Sequence, residues 1–242
     1  MQRGAILICA TLAACGQSFE VASVRPHPGP AHSINITTSG PLLRAEAEFV
    51  NGLVLYAYNL KNYQLDWAPG LKFDESMYDI VAKAEGDGEP TKDEFRQMLQ
   101  SLLADRFKLK VHREQREMPV YALVVGKNGP KFKESGPDAP LFGNHTVNGR
   151  NQTMALPKAT MEQVASELPL YAGRPVLDKT GLTGTYAIRL EATPKFRMDR
   201  DPDAGDISVF TAVQDQLGLR LEAQKAMVEV LVIDHVEKPT DN

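Results

Sequence analysis

Residues 91–125 read TKDEFRQMLQSLLADRFKLKVHREQREMPVYALVV and contain the pattern that decides the fold class. In the first part of this stretch, apolar side chains recur at the spacing of one helical face. These side chains are Phe95, Met98, Leu99, Leu102 and Leu103. Thr91 and Glu94 have the spacing of a capping box, which marks the start of a helix. The pattern predicts an amphipathic helix over residues 91–106.

Beyond this helix, the stretch changes to a composition that is typical of strands. Residues 107–113 alternate apolar with polar side chains, residues 120–125 are apolar throughout, and the polar residues 114–119 between them predict a turn. A further strand is predicted just before the helix, at residues 78–84. The order is therefore strand, helix and β-hairpin.

The same order recurs about 108 residues later. Residues 185–192 predict a strand, and residues 207–217 predict a helix that stops at Gly218. Residues 219–223 and 228–236 predict a second hairpin. We interpret the recurrence as an internal duplication, although α+β proteins also repeat a helix and a hairpin by chance.

Two more helices and one more strand complete the predicted fold. The helices cover residues 48–59 and 160–168, and the second one starts with a capping box formed by Thr160 and Gln163. The strand covers residues 19–24. Together these elements predict an α+β fold of two similar strand–helix–hairpin halves, with helices packed on antiparallel or mixed sheets.

Turn-forming residues separate the two halves. Pairs such as Gly129-Pro130, Gly136-Pro137 and Asn148-Gly149 crowd the middle of the chain, which predicts a linker or a long surface loop. The predicted division is residues 1–15 as a signal peptide, 19–126 as the first half, 127–158 as the linker and 159–242 as the second half.

The composition excludes some classes of function. The formal net charge of the 242 residues is −4, which argues against a nucleic-acid partner because phosphate contacts need a basic face. Cys9 and Cys15 are the two cysteines of the chain. The folded body therefore contains no disulfide, cysteine nucleophile or cysteine metal ligand.

The first residues have the pattern of an export signal. They read MQRGAILICATLAAC, in which Arg3 precedes a short apolar run. Leu12-Ala13-Ala14-Cys15 closes the run and looks like a bacterial lipobox, so we expect a lipid on Cys15. Gly16 rather than aspartate after the cysteine favours the outer membrane. The alternative is simple cleavage of the leader without lipidation.

Common catalytic and metal-binding signatures do not occur in the sequence. It contains no His-Glu-x-x-His, Gly-x-Ser-x-Gly or Walker motif. His27 and His32 lie in a Pro/Gly segment, where solvated side chains are the more common outcome than a metal site. Four aspartates lie at alternate or nearby positions without the glycine and glutamate of a calcium loop. These are Asp199, Asp201, Asp203 and Asp206. We therefore predict no metal and no cofactor.

One short motif is distinctive. Residues 178–184 read DKTGLTG, and they are a possible functional turn ahead of the strand at residues 185–192. Its candidate residues are Asp178, Lys179, Thr180, Gly181 and Gly184. The simpler interpretation is that Asp178 caps the turn through the backbone. Trp67 is likewise expected to cover the core rather than to face a ligand.

Six separated segments resemble a large family of exported proteins from soil bacteria that is known as a domain of unknown function. The segments are FEVASVRP (19–26), LLADRFKL (102–109), PVYALVV (119–125), PVLDKTGLTGTY (175–186), QLGL (216–219) and VEVLVID (228–234). The resemblance covers nearly the whole mature chain and implies no catalytic residues. Relatives fused to membrane metallopeptidase sensors imply, by association, a sensing or binding module.

These observations predict a periplasm-facing lipoprotein that binds an envelope protein or another envelope component through its sheet edges and loops. Its contact with the membrane is the lipid on Cys15. A first alternative is a hydrolase-type enzyme in which Asp178, Lys179 and His112 share one cleft. A second alternative is a metal or small-ligand sensor that uses residues 199–206.

Overall fold

The computed structural model describes residues 18–29, 35–72, 76–86, 88–141, 143–198 and 206–239. Its strands are β1 (Val21–Pro26), β2 (Asn35–Ser39), β3 (Leu42–Phe49), β4 (Leu65–Trp67), β5 (Met77–Lys83), β6 (Lys110–Val125), β7 (Lys133–Glu134), β8 (Asn144–Asn148), β9 (Asn151–Ala159), β10 (Val176–Asp178), β11 (Tyr186–Ala192) and β12 (Leu219–His235). Its helices are α1 (Val50–Ala57), α2 (Lys92–Arg106), α3 (Met161–Glu167), α4 (Pro169–Ala172), α5 (Lys195–Met198) and α6 (Val209–Ala212). A 3₁₀ turn covers Asn62–Gln64, and a π-helical turn at Val213–Leu217 continues α6.

The chain divides into two compact units. Unit 1 comprises residues 1–114 and 230–242, and unit 2 comprises residues 115–229. The predicted α+β class with helices packed on antiparallel sheets is confirmed. The unit boundaries fall inside the long strands β6 and β12, and not in the predicted linker at residues 127–158.

Unit 1 contains a four-stranded antiparallel sheet in the order β1-β5-β3-β2. Helix α2 begins at the predicted capping box, since Thr91 N donates to Glu94 Oε2 at 2.7 Å and Glu94 N donates to Thr91 Oγ1 at 3.3 Å. The apolar face predicted for α2 is buried with α1 and the inner face of the sheet. Tyr78 and Phe107 meet edge to face in this core, with ring centroids 5.1 Å apart.

Unit 2 contains a second four-stranded antiparallel sheet, in the order β7-β11-β9-β8. Its core comprises α3, α4, α6 and one face of this sheet. Helix α3 starts at the predicted capping box of Thr160 and Gln163. Pro169 then begins α4, because proline at the first turn of a helix lacks only a donor that would be unpaired there. Gly218 ends the last helical turn with φ of 68°, as its sequence position predicts.

The two predicted hairpins are wrong, because each is one continuous strand. Strand β6 runs through residues 114–119, where half-buried and exposed side chains alternate at the period of a strand. Strand β12 likewise runs through residues 223–227. Polar residues there indicated a turn, although neither segment contains the glycine or Asn-Gly pair that a tight turn needs. The long strands are neighbours in a third sheet, of order β10-β6-β12-β4.

The predicted linker at residues 127–158 contains β7, β8 and most of β9. Asn148-Gly149 does form a turn, but this turn joins two strands of one sheet rather than two halves of the chain. A second pair of strands, β2 and β3, lies where sequence analysis predicted none. The helix predicted over residues 48–59 is correspondingly shorter, since Phe49 is still part of β3.

The two units follow the same element order. In each, a hairpin leads into a helix (β2–β3–α1 and β8–β9–α3), and then into a short strand that pairs in parallel with a long one (β4 with β12, β10 with β6). A strand that pairs with the hairpin follows (β5 and β11), and then a helix and a long strand. Both sheets contain a one-residue register shift, next to the pairs Glu48–Tyr78 and Ala159–Tyr186.

Candidate functional site

The predicted functional turn has a structural explanation in unit 2. Asp178 ends β10, and its Oδ1 accepts hydrogen bonds from Thr180 N at 2.9 Å and Thr180 Oγ1 at 2.8 Å. Lys179 N donates to Leu123 O at 2.9 Å and so continues the ladder of β10. The expectation that the aspartate caps its own turn is therefore correct.

The two glycines of this turn, Gly181 and Gly184, each have a structural reason to be glycine. Gly181 has φ of 71°, a conformation that glycine adopts without strain. Gly184 N donates to the hydroxyl of Tyr186 at 3.2 Å, and a Cβ at position 184 would lie 2.9 Å from that oxygen. The contacts of these five residues stabilise the turn, and a functional role for it stays a prediction.

His112 has a partner that sequence analysis missed. Its Nδ1 lies 2.8 Å from Asp234 Oδ2 in unit 1, and its Nε2 lies 3.8 Å from Glu114 Oε2. The hydrogen bond with Asp234 raises the pKa of the His112 imidazole above its ordinary value. The hydrolase hypothesis combined His112 with Asp178 and Lys179. In the structure, His112 pairs with Asp234, and Asp178 accepts hydrogen bonds from Thr180, so each of these two residues has a structural partner.

The metal hypotheses gain no support from the described residues. No group of three histidine, cysteine or acidic side chains in that part of the chain has the arrangement of a metal site. His27 pairs with Asp79 at 2.9 Å. Asp206 forms a two-pronged ion pair with Arg150, whose guanidinium holds the pKa of that carboxyl below its usual value. Cys15, His32, Asp199, Asp201 and Asp203 lie outside the described residues.

Trp67 has the core-covering role that was expected of it. It lies at the end of β4, half-buried, and packs against the core of unit 1.

The edge strands of the two antiparallel sheets are of two kinds. One edge of each sheet carries features that block further strand pairing. Strand β1 ends with Arg25 and Pro26, and β7 is only two residues long, both of them charged. These edges are protected against the addition of another strand.

The opposite edges, β2 and β8, lack such protection. Their sequences, NITTS and NHTVN, contain no proline and none of the charged residues Lys, Arg, Asp or Glu. Their registers with β3 and β9 run without a bulge, and every residue of β8 is exposed. An exposed, regular and uncharged edge is a template for another strand.

The hairpin geometry indicates which groups of β8 are open. The two-residue turn Gly149-Arg150 makes Asn148 and Asn151 a hydrogen-bonded pair, and hydrogen-bonded pairs then alternate along the ladder. His145 and Val147 therefore direct their N–H and C=O groups away from β9. Their side chains lie on the face that carries α3, where His145 Nε2 is 3.7 Å from Glu167 Oε2.

A small groove lies beside this edge. A cavity of about 170 Å³ is lined by Leu141, Gly143, Leu156, Lys158, Ala159 and the exposed side of α3, including Glu167. Gly143 is needed here, since a Cβ would lie 2.5 Å from Ala155 O. The Leu141 side chain is 73 % exposed. An apolar floor, a carboxylate and an open strand edge thus lie together in unit 2.

Sequence analysis missed β8 and β2 although the chain contains a signal for each. Gly149-Arg150 and Gly40-Pro41 place glycine first in a two-residue turn, at φ of 59° and 53°. This is the position and sign of φ that type II′ hairpin turns require. Leu43 and Ala45 alternate with Arg44 and Glu46, which is the period of a half-buried strand.

Comparison with known proteins identifies a family without a described activity. A family model described as "Protein of unknown function (DUF3738)" matches residues 51–236. No curated protein and no solved structure matches the chain. Among the residues that the structure describes, no helix is both long and apolar enough to cross a membrane.

Proposed function

Since the chain belongs to this DUF3738 family of proteins of unknown function, we propose a function from its own residues. The protein is an exported, lipid-anchored component of the cell envelope. It binds an extended segment of another envelope protein, which adds as a strand to β8.

The proposed location rests on residues 1–15. A basic residue, an apolar run and the sequence Leu-Ala-Ala-Cys follow one another there. Acyl chains on Cys15 would hold the folded units at the surface of the membrane, and Gly16 favours the periplasmic face of the outer membrane. Labelling with an alkyne-tagged fatty acid should mark the wild-type chain and leave Cys15→Ser unlabelled. An unlabelled wild-type chain would contradict the anchor.

The observation that carries the binding role is the contrast between the two edges of one sheet. Strand β7 is short and charged, whereas β8 is regular, uncharged and exposed along its length. Open edges promote aggregation, and natural sheets normally protect them. An unprotected edge on a sheet whose opposite edge is protected is therefore best explained by a partner strand.

The groove beside β8 favours a peptide partner of a defined kind. Main-chain groups of His145 and Val147 offer backbone hydrogen bonds, which supply affinity without regard to sequence. The cavity of about 170 Å³ accepts one apolar side chain against Leu141 and Leu156. Lys158 and Glu167 both line the cavity, so its charges favour neither an acidic nor a basic residue beside that side chain. The expected partner is an extended segment with an apolar residue at this position.

We also propose that the two units arose by internal duplication. The shared element order, the matching register shifts and the glycine-first hairpin turns support this origin. Strand β2 of unit 1 then corresponds to β8 of unit 2. Both are open edges, so the feature that supports binding is common to the two units.

A photo-crosslinking amino acid in place of Val147 tests the binding role in intact envelopes. It should give one adduct of reproducible mass, because the side chain lies beside the open main-chain groups. The same amino acid in place of Lys133, on the protected edge β7, should give none. Adding His145→Pro removes one open N–H and should reduce the adduct about tenfold, since a backbone hydrogen bond and close approach are lost together.

Two controls separate strand addition from other causes. His145→Gln keeps the N–H but removes the contact with Glu167, so it should retain the adduct. The melting temperature of His145→Pro should stay close to that of the wild type, because edge strands tolerate proline where the N–H faces solvent. Equal adducts at positions 133 and 147, or an adduct that is insensitive to His145→Pro, would refute the proposal.

A further inference from the structure

A second cavity of unit 2 lies at the end of the π-helical turn, away from the peptide groove. It measures about 430 Å³ and is lined by Gly126, Lys127, Asn128, Lys131, Gln214, Asp215, Gly218 and Arg220. We refer to it as the basic cleft. Its walls are the turn after β6, the end of the π-helical turn and the first residues of β12.

Main-chain contacts form the floor of the basic cleft. Gly126 N donates to Gly218 O at 2.9 Å, and Lys131 N donates to Leu217 O at 2.9 Å. A Cβ on Gly126 would lie 2.7 Å from Gly218 O, and a Cβ on Gly218 would lie 2.2 Å from Gly129 O. Two glycines therefore allow two backbone segments to approach more closely than side chains permit.

Three cations and one carboxylate surround this floor. Lys131 Nζ donates to Asp215 O at 2.8 Å, which fixes the ammonium group but leaves its charge, because the acceptor is a neutral carbonyl. Arg220 pairs with Glu222, which is not part of the lining. Lys127 has no ion-pair partner within the described part of the chain. The lining thus carries an excess of positive charge around an open volume.

The corresponding place in unit 1 shows that the fold does not require this arrangement. Helix α2 stays α-helical to Arg106, and Lys108 follows it at φ of 51°. Lys108 thus adopts a positive φ similar to that of Gly218 in unit 2. The close contact with Gly129 O therefore restricts position 218 to glycine more strongly than φ does. Departures from a regular helix such as the π-helical turn are frequent at functional sites.

We propose that the basic cleft binds a phosphate group, carried either by a small soluble molecule or by a lipid headgroup. A phosphate matches the excess of positive charge, and ammonium and guanidinium donors give charge-assisted hydrogen bonds to its oxygens. Lys131 is held in place before binding, while Lys127 and Arg220 close on the ligand from the two sides. This site is separate from the peptide groove and does not depend on the proposed function.

Calorimetric titration of the full chain with inorganic pyrophosphate, at fixed ionic strength, tests the site. The wild type should bind with a stoichiometry of one. The double variant Lys127→Gln/Arg220→Gln should bind at least about tenfold more weakly, the usual loss on removing a charged hydrogen-bond donor. Lys225→Gln is the matched control, because Lys225 is an exposed lysine of β12 that pairs with Glu117 outside the cleft.

Amide chemical shifts provide the second measurement and separate the sources of the phosphate. Pyrophosphate should shift the amide signals of Gly126, Asn128 and Gly218. Inorganic phosphate and short-chain phosphatidic acid are the two further probes, and stronger binding of the lipid would identify a headgroup site. Equal affinity of the wild type and the double variant would overturn the proposal. So would shifts spread evenly over the surface lysines.

Discussion

Replacing Gly218 by alanine tests how tightly the backbone packs at the end of the π-helical turn. A Cβ there would lie 2.2 Å from Gly129 O, which is main chain and cannot rotate away. Alanine at φ of 68° costs about 1 kcal/mol through the left-handed conformation alone. Relieving the clash separates the two segments and breaks the hydrogen bonds Gly126 N to Gly218 O and Lys131 N to Leu217 O, each contributing about 1 kcal/mol. The expected loss of stability in unit 2 is about 3 kcal/mol.

Gly181→Ala is the matched control. Gly181 has φ of 71°, but no atom lies within 4 Å of an added Cβ, so only the conformational cost of about 1 kcal/mol applies. Native-state hydrogen exchange of the β11 amides reports the opening of unit 2, whereas a single denaturation curve would mix two units. Exchange of β11 should become about 100-fold faster in Gly218→Ala and about fivefold faster in Gly181→Ala, while β5 in unit 1 should not change. Equal effects of the two variants would refute the argument that backbone contact dictates the glycine at 218.

Two further predictions concern the carboxylates of Glu48 and Asp178. Burial raises the pKa of Glu48 above its ordinary 4.5, so the stability that protonation contributes is full below the unfolded pKa and is lost as pH rises through the folded value. Glu48→Gln should therefore make unit 1 more stable than in the wild type at pH 7 and should lose that advantage near pH 4, as measured by native-state hydrogen exchange of the β5 amides at the two pH values. Asp178→Ala should lower the free energy of unfolding of unit 2 by about 1–2 kcal/mol, because it removes both hydrogen bonds from Thr180. A turn with a binding role would instead lose binding in this variant without loss of stability.

The sequence predicted the helices better than the strands, for a physical reason. Helix α2 and helix α3 carry local signals, since a capping box and the spacing of the apolar residues lie within one short stretch. The long strands carry no such signal at their centres. Residues 114–119 are polar because both faces of β6 are partly solvated there. This polar composition resembles that of a turn, although the segment contains no glycine. The pairing of β6 with β12 joins residues more than 100 positions apart, which no local pattern encodes.

The candidate sites were harder to predict than the fold. Asp178 was identified with its structural role, because the turn that it caps is local. Asp234, in contrast, meets His112 across 122 positions of the chain, and nothing near either residue indicates the other. The open edge of β8 is defined by the absence of a neighbouring strand in the described sheet, which is a property of the whole topology. Sequence patterns identify residues that act on near neighbours and miss those that act through tertiary pairing.

Comparison of the two units separates the needs of the fold from those of function. Four features are common to both units. They are the element order, the one-residue register shift, the short parallel strand and a residue of positive φ after the last helix. These shared features are sufficient to build a unit. The π-helical turn and the close approach of the glycines at 126 and 218 belong to unit 2. Unit 1 has the regular helix α2 in that place, followed by Lys108. Because unit 1 folds without these features, the needs of folding do not explain them in unit 2. The basic cleft is therefore the part of unit 2 that most directly indicates a ligand.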